Sequence, residues 1–394
     1  MSIQAKREYI AMLWALYRQA TKRSEKSRIL DEISRNLGIH RKSATRCMNQ
    51  DEAPKLGRGS APRANKILDD VRVAIVQLWH RMGRMGSLAM HAALPEWLSY
   101  DFELEASLKL QVLKVSARTL ERIIKAERAK WKRKNNTGTK RAKKPQTLVP
   151  LRALGVKIAE VGHIEIDTVA HCGDSMSGMF AWTVTATDIL SNWTDIYTIW
   201  SKDANAVRMA LEILEKRSPI RWKAIYADNG SEFINEIVVN HFSKPNSNRE
   251  AISVFRCRPY RKNDQAHVEQ KNWTHVRSLW GYMRIDYEPA VNLMNSVAEN
   301  IWIPLQNAFV PQRKIISKIR EGSKIKKTFD KAQTPCERLL ARTESEVSLE
   351  EKQRLIQWKE SLNPFELRKK LSKRTYPIFR LLDATKEQPI KNCA

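Results

Sequence analysis

At 394 residues and 42% apolar content, the chain is long enough for two to three domains of about 150 residues each and too apolar for wholesale disorder. No run approaches the roughly 20 apolar residues of a membrane-spanning helix. Residues 1–9 carry charge where a secretion signal needs an apolar stretch, so a cytoplasmic protein is expected, and five scattered cysteines exclude a disulfide framework or a cysteine zinc site. The net charge of +27 divides unevenly: 32 Lys/Arg face 14 Asp/Glu in residues 1–150, 17 face 18 in 151–300, and 21 face 11 in 301–394. Two basic arms around a neutral middle predict a polyanionic partner, because Lys and Arg that neutralise phosphates release condensed counterions.

Along the chain, residues 1–50 read as helices. "REYIAMLWALYRQA" places Ile10, Leu13, Leu16 and Tyr17 at helical spacing. "SRILDEISRNLGIHRKSATRCMNQ" then has Ile29, Leu30 and Ile33 as a core stripe, a tight turn at Leu37-Gly38-Ile39, and a second helix exposing Arg41, Lys42 and Arg46. This is helix-turn-helix grammar, and it makes those three cations candidate DNA contacts. Residues 51–63 are a linker rich in Gly and Pro. A second helical block, resembling another helix-turn-helix, spans 64–130, with Ser116 or Thr119 as N-cap before Leu120, Ile123 and Ile124. Residues 131–154 form a linker whose first part, "WKRKNNTGTKRAKKPQ", is dense in Lys and Arg without an acid.

The texture changes over 155–290. "HIEIDTV", "GMFAWTVTATDI" and "WTDIYTIW" read as strands, and "DANAVRMALEILEKR" as a helix capped by Asp203. "RWKAIYAD" is a fourth strand, "NGSEFINEIVVNHF" opens a helix, "AISVFRC" is a fifth strand, and "NDQAHVEQKNWTHVRSLWGYMRI" is a long helix. The order predicts a mixed five-stranded α/β sheet with flanking helices. Residues 291–394 read as a basic, mainly helical extension, so the whole is multidomain.

Three acids hold special places in that order. Asp167 ends the first predicted strand, Asp228 ends the fourth, and Glu269 sits on the long helix. If the first and fourth strands are neighbours, both aspartates meet at one sheet edge and the helix can add the glutamate. Gathered carboxylates repel unless a cation joins them, and Mg²⁺ or Mn²⁺ takes oxygen ligands. Asp228-Asn229-Gly230 is also good turn chemistry, so the motif alone favours a turn.

"HIEIDT", "YADNGSEF" and "NDQAHVEQKN" together resemble the catalytic core of retroviral-type integrases and related insertion-sequence transposases, over roughly residues 155–290. The resemblance implies a ribonuclease H-like core whose Asp-Asp-Glu triad, matched by Asp167, Asp228 and Glu269, binds two Mg²⁺ (or Mn²⁺) ions. Those ions would serve in-line phosphoryl displacement. It further implies double-stranded DNA as partner, both as terminal repeats and as target, and a homo-oligomer on DNA. It makes Lys271 a contact for DNA ends. Two departures stand out. Forty residues separate Asp228 from Glu269, somewhat more than the family's usual spacing, and Asp264 stands where many relatives have Gly. Arg258 and Lys262, in "RCRPYRK" with Tyr260 interleaved, are candidate phosphate contacts. Glu232, Asp174 and Asp188 are read as solvent-exposed acids. The expected function is a transposase; the alternatives are a helix-turn-helix regulator without catalysis and an RNA-cleaving relative of the same fold.

Overall fold

The computed structural model describes residues 3–52, 68–129, 158–228, 230–245, 250–257, 266–321 and 324–387. The basic segment 131–154, nearly all of the 51–63 linker, and Arg258, Lys262 and Asp264 lie outside the described residues. The chain falls into two compact units, 1–67 and 68–394.

The first unit holds α1 (Ile3–Gln19), α2 (Arg23–Leu37) and α3 (Arg41–Met48). Ile10, Leu13, Leu30, Ile33, Ala44 and Met48 form its core. Leu16, expected on the α1 stripe, is 47% exposed, because six residues beyond Ile10 it has rotated to the outer side of a 3.6-residue helix. Helix α2 ends at Gly38, whose φ of 64° lies in the left-handed region that glycine enters without a Cβ penalty. His40 then caps α3, its Nδ1 accepting the Lys42 backbone N–H at 3.2 Å.

The second unit is built on a five-stranded sheet of β1 (His163–Ala170), β2 (Trp182–Asp188), β3 (Thr194–Ile199), β4 (Ala224–Ala227) and β5 (Ser253–Arg256). Its spatial order is β3-β2-β1-β4-β5, with the first three strands antiparallel and β4 and β5 joining parallel. Alternation assigns the faces. Ile164, Ile166, Val184 and Ala186 point to a core shared with α8 (Ala204–Arg217) and α9 (Glu236–Ser243). Asp203 caps α8 as predicted, accepting the Asn205 and Ala206 N–H groups. Helix α9 begins later than predicted: Asn235, whose side chain accepts the Val238 N–H, is its N-cap, and 230–234 form turns.

The opposite face of β2 and β3 is a threonine surface. Thr183 bonds to Thr198 at 3.0 Å and Thr187 to Thr194 at 3.1 Å, all four buried. It is covered by α10 (Ala266–Lys271), a π-helical stretch Asn272–Arg277, α11 (Ser278–Trp280), α12 (Pro289–Val297), a second π-helical stretch Ala298–Trp302, and α13 (Ile303–Phe309). Strand β3 is an edge strand, and two asparagines satisfy its open backbone. Asn295 accepts from Thr198 N at 2.7 Å and donates to Thr198 O at 2.8 Å; Asn307 does the same for Thr194 at 3.1 and 2.9 Å. The layer that completes the sheet therefore runs to Phe309, past the expected boundary at 290.

Nor do the helices α4 (Asp69–Arg81), α5 (Ser87–Ser99), α6 (Ala106–Leu113) and α7 (Ala117–Ala129) stand apart as a domain of their own. Trp97 of α5 is fully buried; its Nε1 donates to Phe309 O at 3.0 Å and its ring meets Phe365 edge-on at 5.1 Å. The C-terminal region is helical through α14 (Pro335–Leu340), α15 (Leu349–Glu360) and α16 (Pro364–Glu387), but it opens with an unforeseen hairpin, β6 (Ile315–Glu321) and β7 (Lys324–Phe329). No helix among the described residues is long and apolar enough to cross a membrane.

Candidate active site

The site grows from the parallel pairing of β1 and β4. His163 lies opposite Ala224 and Glu165 opposite Tyr226, so the same register carried two residues on puts Asp167 level with Asp228. Strand β4 stops at Ala227, whereas β1 continues to Ala170 along β2. Asp167 is thus not the end of its strand, as expected, but the point at which its parallel neighbour runs out. Asp228 leaves that neighbour in a turn, its Oδ1 accepting the Gly230 N–H at 2.8 Å. A Cβ at Gly230 would come within 2.7–2.8 Å of the Glu232 and Asp228 carboxylates, so a larger residue there would have to push those side chains aside. The turn role and the placement of the acid coexist.

Asp167 accepts the Thr168 N–H at 2.8 Å and the Asn272 side-chain amide at 2.6 Å. Burial, and then the charge of Asp228, push its pKa up to about 7 against those two bonds, and Glu269 adds to the rise. Asp228 is raised as well, by burial first and by the neighbouring Glu232, with Lys202 opposing. Two half-buried carboxylates held level with each other form a donor set that a hard divalent cation would relieve. Glu269 is exposed on α10, close enough to repel Asp167. Among the described residues, however, no group of three or more His, Cys, Asp or Glu side chains is gathered closely enough to hold a metal ion. The structure brings the two aspartates together and leaves the glutamate beside them.

Two acids read as solvent-exposed are not. Glu232 sits beside Asp228 with its side chain 12% exposed and Lys202 Nζ 3.6 Å away. Asp188 is buried and ties its loop together, accepting from Gly162 N at 2.8 Å and from Ser191 N and Oγ at 2.6 and 2.7 Å. Glu165 was passed over. It is fully buried and accepts the Val268 N–H at 3.1 Å, so it holds the start of the helix that carries Glu269. The signal was in the alternation: Glu165 and Asp167 share one strand face, and an acid on an otherwise covered face needs a donor. Asn272, which the sequence marked only as a neighbour of Glu269, is the residue that holds Asp167.

The candidate DNA contacts fare unevenly. Lys271 does not reach outward: it is buried, its Nζ bonds Gln312 Oε1, and burial together with Lys314 and Arg338 depresses its pKa well below the usual lysine value. Two residues past Glu269 it has rotated inward, towards the body of the unit. Arg41 pairs with Asp31 and donates to Ser27 Oγ at 2.6 Å, so part of its guanidinium is engaged within its own unit. Lys42 and Arg46 are exposed on α3. His171 is buried against Thr183 Oγ1 at 2.7 Å, and burial lowers its pKa to about 3.

Comparison with known proteins adds the following. No family model matches the chain. The catalytic core domain of BIV integrase is similar at 17% identity over 28% of this chain and 62% of that one, with a TM-score of 0.22. A chain of the simian T-cell lymphotropic virus intasome in complex with PP2A regulatory subunit B56 gamma is similar at 15% identity over 48% of this chain and 59% of that one, with a TM-score of 0.26. The matches span about three-fifths of those two chains, and superpositions of this quality carry no weight for activity. The uncharacterized protein y4rM of Sinorhizobium fredii (strain NBRC 101917 / NGR234) is 32% identical over 338 residues, covering 84% of this chain and 93% of that protein. At that identity and coverage, this chain belongs to the same family as y4rM.

Proposed function

We propose that this protein is a DNA transposase of an insertion sequence. It binds the element's terminal inverted repeats, cleaves a strand there by attack of water on a phosphodiester, and joins the freed 3′-hydroxyl to target DNA. The observation that carries this reading is the placement of half-buried Asp167 on β1 level with half-buried Asp228 at the end of its parallel neighbour β4, each with a raised pKa. The motif resemblance and the basic arms support it. Asp167 and Asp228 would hold Mg²⁺ or Mn²⁺, two ions in all, with Glu269 of α10 as third ligand. When bound, such ions activate the attacking oxygen and stabilise the leaving one. The chain's own groups orient the site: Asn272 fixes the Asp167 carboxylate, the Gly230 N–H fixes Asp228, and Glu165 secures the start of α10. Lys42 and Arg46 of α3 would grip duplex ends in a helix-turn-helix manner, and joining two ends requires a dimer or larger assembly.

Strand transfer by the purified chain with Mg²⁺ or Mn²⁺ on DNA flanking its own gene is the test, run beside Asp167→Asn and Glu269→Gln. Joined products from the wild type, with a loss of at least about a thousandfold in both variants, are expected. Retained cleavage in Glu269→Gln would remove that residue from the triad. One observation favours a second reading, a DNA-binding regulator without catalysis: among the described residues, Glu269 belongs to no group of three or more His, Cys, Asp or Glu side chains that could hold a metal ion. Tight end binding with no metal-dependent nicking by the wild type would select it.

A further inference from the structure

The β6–β7 hairpin has the features of a ribbon without its partner. Among the described residues, its two strands pair only with each other and no third strand extends their sheet. A two-stranded ribbon is marginal in water unless something covers it. Here Ile316 is 67% exposed, Ile319 56% and Ile325 52%. The register sets Lys318 directly opposite Lys327, both exposed. Like charges facing each other across a strand pair cost stability. By sequence the two strands hold five Lys/Arg against one Glu.

The base of this ribbon, in contrast, is bolted down. Gln312 and Gln333 exchange backbone hydrogen bonds of 2.8 and 3.1 Å across the root of the hairpin. Lys314 donates to the Ile189 and Leu190 carbonyls of the β2–β3 turn, and its N–H reaches Asp330 at 2.6 Å. Gln312 also takes the Lys271 ammonium, which ties the root to the helix bearing Glu269.

We propose that this ribbon is a duplex-DNA surface, placed in a fixed relation to the Asp167–Asp228 pair by its root. The charge decides the occupant. A phosphate backbone relieves the Lys318–Lys327 repulsion, whereas a second copy of the ribbon would add lysines to lysines. A major groove about 12 Å wide admits a two-stranded ribbon. The inference rests on the transposase reading for the presence of DNA, and it adds a contact surface that the helical N-terminal unit does not supply.

Fluorescence anisotropy of the full chain on a random-sequence 30-base-pair duplex, titrated across NaCl concentrations, tests it. Lys318→Ala/Lys327→Ala should weaken binding and flatten the slope of log Kobs against log salt by about 1.8, or roughly 0.9 per phosphate contact. Lys318→Arg/Lys327→Arg should keep the slope. Lys369→Ala/Lys370→Ala, an equal charge change at exposed positions of α16, should leave it unaltered. An unchanged slope in the ribbon variant, or an equal drop in the α16 variant, overturns the proposal while the transposase reading stands. A change in sedimentation without a change in slope overturns it in favour of self-association. Failure of the wild type to bind duplex at all removes both readings.

Discussion

Asp195 on β3 accepts from Arg217 Nη2 at 2.6 Å and from the Ile196 N–H at 2.7 Å, yet burial outweighs the guanidinium and lifts its pKa to about 6. A carboxyl raised above its unfolded value holds its proton in the native state at pH values where the unfolded chain has lost it. Stability therefore falls as pH rises from about 4 to about 6 and levels off above that. Asp195→Asn removes this contribution, so urea unfolding at a series of pH values should show a flatter dependence in the variant. The difference accumulated over that window is at most roughly 3 kcal/mol. A variant whose slope matches the wild type would mean that Asp195 titrates normally. The same scale separates the two buried acids of β1. Glu165 meets a helix N–H, whereas Asp167 meets a second carboxylate and an amide. Sequence placed both on one face but carried no sign of which neighbours each would meet.

Among the elements, β3 shows how a sheet edge is closed without another strand. Asn295 and Asn307 present an amide to Thr198 and Thr194 as a strand would, one acceptor and one donor each. Asn295→Leu keeps the branched outline of the side chain and leaves a buried N–H and C=O unpaired. At about 1–3 kcal/mol per orphaned group, the loss should be roughly 2–5 kcal/mol. Chemical denaturation reads the loss, and amide exchange at Thr198 should accelerate with it; an unchanged exchange rate would mean that water replaces the asparagine. The helix after β5 makes a related point. Its π-helical stretch at Asn272–Arg277 breaks the 3.6-residue period, and Trp273 is 48% exposed while Val276, Leu279 and Trp280 are buried. Periodicity located the helix but could not foresee the wide turn that follows Glu269.

At the scale of the whole second unit, Trp97 joins the helices before the sheet to those after it. It is buried among Phe309 and Phe365, and Glu96 beside it pairs with Lys359 at 2.6 Å. Trp97→Ala should cost about 3–5 kcal/mol and loosen α4–α7 from α13 and α16. Limited proteolysis would then cut within residues 68–129 first; uniform resistance there would mean that these helices hold by other contacts. Composition divided the chain at a different level. The shift from basic to neutral near residue 155 is real in charge, yet the helices on its basic side pack into the same unit as the sheet.

What the sequence by itself determined is local. The alternating strands of the sheet, the Asp203 cap, the Gly38 turn and the turn that follows Asp228 all follow from periodicity and backbone sterics, which act within a few residues. The pairing of Asp167 with Asp228 was also legible, because it follows from strand order once β1 and β4 are neighbours. Tertiary structure decided what depends on surroundings. It turned Lys271 inward, set Glu232 half-buried beside Asp228, buried Asp188, gave Asn272 to Asp167, left Glu269 at the rim, and projected a lysine-bearing ribbon whose mixed Ile and Lys pattern reads as neither core nor loop. The physical reason is common to all of these. Burial and Coulomb coupling are set by groups far apart in the chain, and no local pattern records how far each charge stands from water.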